Sequence, residues 1–112
     1  MINWELLTSI DQVDYVASNA SDDIYVVLKH STRCSISSMA KNRLEQKWNQ
    51  KLPVSKVFFL DLIQYRHVSD YIASMFNIVH ESPQLLLFKN GKVIYHASHN
   101  AISVSQLEAQ LL

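Results

Sequence analysis

The order of local signals predicts an α/β chain: a mixed sheet of four strands, with room for a fifth, flanked by helices on both faces. Three observations carry that prediction. The apolar run Ile24–Leu28 gives way to a helical periodicity starting near Ser35, and a second run of strand length follows at Lys56–Asp61. Parallel strands joined through a helix need a right-handed crossover, so these two lie side by side. Asn90-Gly91 then separates two further strand patterns, and this pair is the residue set a type I′ hairpin turn demands, so the last two strands are antiparallel neighbours. At 112 residues the chain is of single-domain size and can bury a moderate core without metals or disulfides.

Taken in order, Trp4, Leu6 and Leu7 lead into Ser9-Ile10-Asp11-Gln12, which has the form of a capping box. Ile10, Val13, Val16, Ala17 and Ala20 follow one helical face, and the polar run Ser18 to Asp23 closes that helix. Ile24 to Lys29 is the first clear strand. The next helix, from about Ser35 to Asn49, has Ile36, Met39, Ala40, Leu44 and Trp48 as its inner face, and Leu52-Pro53 ends it because proline cannot continue a helix. A third helix from about His67 to Asn77 buries Val68, Tyr71, Ile72, Met75 and Phe76. Leu85–Lys89 and Lys92–Ala97 form the hairpin. Ser103-Val104-Ser105-Gln106 repeats the capping-box form and opens a last helix with Val104, Leu107 and Leu111 inward. Trp4, Trp48, Tyr71, Phe58 and Phe59 fall on core faces.

Composition narrows the function. Ten basic and ten acidic side chains leave no net charge, which argues against nucleic acid or an anionic membrane as the partner. No apolar run approaches the roughly 18 residues needed to span a bilayer. Met1–Glu5 has neither the basic nor the apolar region of a signal peptide, so a cytoplasmic protein is expected. The single cysteine allows no internal disulfide and suits a reducing compartment. It also argues against a thiolate-built zinc site, and the five histidines show no helical metal-ligand spacing, so no metal is expected.

That cysteine, Cys34, falls where the first strand hands over to a helix N-terminus. Thiol–disulfide exchange needs a thiolate with access to a disulfide sulfur. Unpaired N–H groups and the positive end of the helix dipole favour the thiolate at such a position, with Arg33 adjacent and Lys29 and His30 near in sequence. Ser37, one helical turn on, has a hydroxyl that could donate to the sulfur; a plain helix-start serine is the equal alternative. A phosphate-cradling loop would want arginine about six residues after the cysteine, and Ala40 stands there, which excludes a phosphatase or arsenate reductase.

Two segments carry a resemblance to a known family. Ser82-Pro83-Gln84-Leu85-Leu86-Leu87-Phe88-Lys89-Asn90-Gly91-Lys92 resembles the thioredoxin-superfamily segment with a cis-proline before a strand and a Lys-Asn-Gly hairpin. Lys29-His30-Ser31-Thr32-Arg33-Cys34-Ser35-Ile36-Ser37 resembles the active-site loop of the YtxJ-type monothiol bacilliredoxins, in which a Lys-His-Ser run leads to Cys-x-Ile-Ser; Leu60-Asp61-Leu62, Tyr65-Arg66 and Val68-Ser69 are similar too. Ser35 replaces the family's usual proline. Ser37 stands where thioredoxins proper have a second cysteine, and Leu28 where they have a buried acid, so a dithiol cycle within one chain is impossible.

The resemblance implies a thioredoxin fold and a monothiol thiol–disulfide oxidoreductase whose Cys34 removes a small thiol, bacillithiol, from mixed disulfides on protein cysteines. Bacillithiol is then a co-substrate, with no bound cofactor. S-thiolated proteins are the partners, and a second small thiol or a resolving oxidoreductase frees Cys34. A cis Ser82–Pro83 bond beside the thiol would let Ser82 pair with an extended substrate segment, and Arg33 could meet a carboxylate of the small thiol. Two alternatives stay open: a glutaredoxin-like protein serving another small thiol, and a non-catalytic thioredoxin-fold binding module.

Overall fold

The computed structural model describes residues 1–18 and 22–112. Nine regular elements and one short turn run in the order β1 (Trp4–Leu6), α1 (Ile10–Ser18), β2 (Ile24–His30), α2 (Ser35–Lys47), β3 (Lys56–Asp61), α3 (Arg66–Phe76), β4 (Gln84–Lys89), β5 (Lys92–Ser98), a 3-10 turn (His99–Ala101) and α4 (Val104–Leu111). The sheet order is β1-β3-β2-β4-β5. β1 and β2 both pair parallel with β3, while β4 runs antiparallel to β2 and to β5. The fold class is therefore as expected, and the fifth strand is Trp4–Leu6, added in parallel at the edge of β3.

β2 sits at the centre and every residue in it is buried. Alternation along the strand sends its side chains into two cores. Ile24, Val26 and Leu28 pack with Ala40 and Leu44 of α2 and Val104 and Leu107 of α4. Tyr25 and Val27 pack with Val13 and Val16 of α1 and Val68 and Ile72 of α3. Leu28 is one of these apolar core residues.

Local chemistry sets the element ends. Ser9 and Gln12 form a reciprocal box, Gln12 N–H donating to Ser9 Oγ at 3.3 Å and Ser9 N–H to Gln12 Oε1 at 3.1 Å. Ser103 Oγ accepts from Gln106 N–H at the start of α4. Asn77 takes a left-handed conformation and closes α3. Asn90 and Gly91 both have positive φ, as the hairpin turn requires. The tip of that turn abuts α1: a Cβ built on Gly91, whose φ is +72°, would lie 2.2 Å from the Ala17 carbonyl oxygen.

Three side chains assigned to inner faces point elsewhere. Ile36, Met39 and Met75 are 52%, 61% and 45% exposed. In α2 the buried positions of the first turns are Ser37 and Ala40, so the helix is rotated from the stripe its apolar spacing suggests. The reason is that Ser37 finds polar partners beneath it. The helix start that the spacing puts near His67 is Arg66, and Ala20 lies outside the described residues.

Candidate functional site

Cys34 is the N-cap of α2, in extended conformation (φ −112°, ψ 120°), partly buried and with a free thiol. Extended backbone here follows from the turn that leaves β2: Cys34 N–H donates to Ser31 C=O at 3.1 Å, and Ser38 N–H returns to Cys34 C=O at 3.1 Å. The sulfur makes no hydrogen bond among the described residues and caps no N–H of its own helix. It thus stands at the end of a 13-residue helix whose first-turn N–H groups have no intrahelical partner.

Beneath the loop lies a neutral polar network. His30, the last residue of β2, is 5% exposed, and its Nδ1 is 2.6 Å from Ser37 Oγ. The same oxygen accepts from Ser31 N–H at 3.0 Å. Ser37, fully buried, therefore ties the start of the thiol loop to the helix that follows it. Its hydroxyl is engaged with His30 and Ser31, not with the sulfur. Burial, and then the Lys41 ammonium, hold His30 below its ordinary pKa, against opposing pulls from Ser37, Asp61 and Glu45. The ring also packs on Phe59, with centroids 5.2 Å apart.

On the opposite face of β2 is a second network that sequence reasoning missed. Lys29 is fully buried; its Nζ donates to the Ser69 carbonyl at 3.3 Å and lies 3.5 Å from His80 Nδ1. Ser69 Oγ is 3.1 Å from the same nitrogen. Burial lowers the Lys29 pKa to about 8, Asp70 opposing that shift and Arg66 adding to it. Gln84, paired with Lys29 across β2 and β4, donates from Nε2 to Val79 C=O at 3.0 Å, while its buried Oε1 has no partner among the described residues. Polar residues interrupting apolar runs were the available signal: Lys29 after Ile24–Leu28, Ser69 between Val68 and Ile72, Gln84 before Leu85–Phe88.

Of the other expected site residues, Arg33 is exposed and makes no hydrogen bond or ion pair among the described residues. The Ser82–Pro83 peptide is cis, with Pro83 buried and Ser82 partly so. Pro83 C=O accepts from His99 N–H at 3.1 Å. No group of three or more His, Cys, Asp or Glu among the described residues could hold a metal, and no helix among them is long and apolar enough to cross a membrane.

Comparison with known proteins adds the lineage. Residues 5–107 match the model of the monothiol bacilliredoxin BrxC family. A solved candidate oxidoreductase with a thioredoxin fold is 36% identical, with a TM-score of 0.80 over 95% of this chain and 91% of that one. The thioredoxins of Malassezia sympodialis (19% identity, TM-score 0.73, covering 98% and 89% of the two chains) and Trypanosoma brucei brucei (15%, 0.72, 96% and 88%) share the fold.

Proposed function

Since the chain belongs to the monothiol bacilliredoxin family, with a thiol oxidoreductase-like role in a thioredoxin fold, we propose that Cys34 removes a small thiol from mixed disulfides on protein cysteines. The observation that carries this reading is one free thiol at the N-cap of a long helix, with no second cysteine in the chain.

The Cys34 thiolate attacks the small thiol's sulfur in the mixed disulfide. That S–S bond breaks, its electron pair leaves with the protein sulfur, and the freed thiolate takes a proton from water. Cys34 is left in a disulfide with the small thiol. A second small-thiol thiolate then attacks the small thiol's sulfur, releasing Cys34 as thiolate and leaving a small-molecule disulfide; a partner oxidoreductase can do the same. The helix N-terminus favours Cys34 both as nucleophile and as leaving group. Bacillithiol is the small thiol the family implies and the cytoplasm its setting. Ser82 and Pro83 hold the substrate segment, and Arg33 meets a small-thiol carboxylate.

The test is intact-mass analysis after mixing the protein with a bacillithiol-modified substrate protein. Wild type should gain the mass of one bacillithiol, and Cys34→Ser should gain none. An unmodified wild-type protein whose Cys34 still reacts with iodoacetamide sinks the proposal. Faster transfer from glutathione or coenzyme A mixed disulfides reassigns the small thiol.

A further inference from the structure

His80 lies two residues before Ser82 and is held in one tautomer from inside the protein. Lys29 Nζ and Ser69 Oγ both converge on its Nδ1, at 3.5 Å and 3.1 Å. An ammonium can only donate, so Nδ1 is the acceptor and the ring proton sits on Nε2. Burial and the charges of Lys29 and Arg66 hold the imidazole below its ordinary pKa, against Asp70 and Glu81, which keeps it neutral at pH 7. The loop is braced on its other side as well, through Gln84 Nε2 and the Val79 carbonyl. Nε2–H itself has no partner among the described residues, and the ring is only partly buried.

A donor fixed from behind, with no acceptor among the described residues and on the loop that carries Ser82–Pro83, is preorganised for a substrate atom. We propose that His80 Nε2–H binds an acceptor oxygen of the mixed-disulfide substrate. This rests on the reading of Cys34 given above. The oxygen belongs either to a carboxylate of the small thiol or to a main-chain carbonyl of the peptide.

Two variants separate this from a merely structural role. His80→Asn keeps an acceptor near Nδ1 but its amide N–H falls short of the Nε2 position, whereas His80→Gln can place an amide N–H where Nε2–H lies. The probes are one peptide in mixed disulfide with 3-mercaptopropionate or with propanethiol, and the readout is the rate of adduct formation on Cys34 by intact mass. His80→Asn should be slower by about tenfold, the worth of one hydrogen bond, and His80→Gln should stay within about twofold of wild type on the same scale. A loss confined to the mercaptopropionate substrate assigns the oxygen to the small thiol's carboxylate; an equal loss on both assigns it to the peptide. The proposal is overturned if His80→Asn keeps the wild-type rate or if His80→Gln falls with it. Failure of wild-type Cys34 to accept either adduct removes the reading of Cys34 and this proposal with it; normal transfer by both variants removes His80 alone.

Discussion

Lys29 and His30 are neighbours on one strand and face opposite cores, and each anchors a buried polar network of a different kind. The His30 network is neutral and closed: a 2.6 Å contact to Ser37, whose oxygen also takes the Ser31 N–H. The Lys29 network holds a cation, its contacts run to 3.3 and 3.5 Å, and the neighbouring Gln84 Oε1 is left unpaired. A neutral pair loses little on burial once its hydrogen bonds are made, while a buried ammonium keeps a desolvation cost that two long contacts do not cancel. The two sides also hold different parts of the site. Through Ser37, His30 fixes the thiol loop; through His80, Lys29 fixes the loop before Ser82–Pro83.

The contrast breaks most visibly at high pH. The Lys29 pKa is about 8 in the fold against 10.5 in the free side chain, so between these values the unfolded chain binds a proton that the native state does not. Stability from this group therefore rises with pH across that window and is at its lowest below pH 8. Urea titration of wild type and Lys29→Met should show their difference moving in favour of wild type by about 2–3 kcal/mol between pH 7 and pH 10. Parallel curves would mean that Lys29 carries no such cost.

Ser37→Ala strikes the neutral side. It leaves the buried His30 Nδ1 and the partly buried Ser31 N–H without their partner, at a cost of about 1–3 kcal/mol. Slower adduct formation on Cys34 should accompany it, because the loop loses its tie to α2. Unchanged stability would show that the network contributes nothing to the fold.

The smallest effect lies in acid. His30 is held below the free histidine value of 6.5. As pH falls through 6.5 the unfolded chain takes up a proton first and native stability declines, until His30 itself titrates in the fold. His30→Asn should flatten that decline, read from urea midpoints between pH 7 and pH 4. An identical acid limb in wild type and variant would assign the decline to other groups.

Most of the scaffold was legible because its signals are local. Ser9 and Gln12 cap each other in the way their spacing implies, and Asn90-Gly91 makes the turn its residue types demand. β1 was harder: three residues at a sheet edge carry no periodicity of their own, and only pairing with Val57–Phe59 makes them a strand. The rotation of α2 was also hidden, since apolar spacing favoured Ile36 and Met39, while the buried position belongs to Ser37 by virtue of His30 beneath it. Cys34 stood out as the lone thiol at a strand–helix junction. Lys29 did not, because a lysine reads as surface until Ser69 and His80, both distant in sequence, supply its partners.

Gly91, the chain's single glycine, has a meaning for how sequences of this kind can drift. Its positive φ disfavours any side chain, and the Ala17 carbonyl leaves no room for one. A library of variants selected only for folding should lose every replacement there while tolerating changes at Arg33, an exposed residue next to the thiol. An unvarying glycine at this place among relatives would thus mark a fastening point between hairpin and helix, and the rate of acceptance of mutations would not map the chemistry.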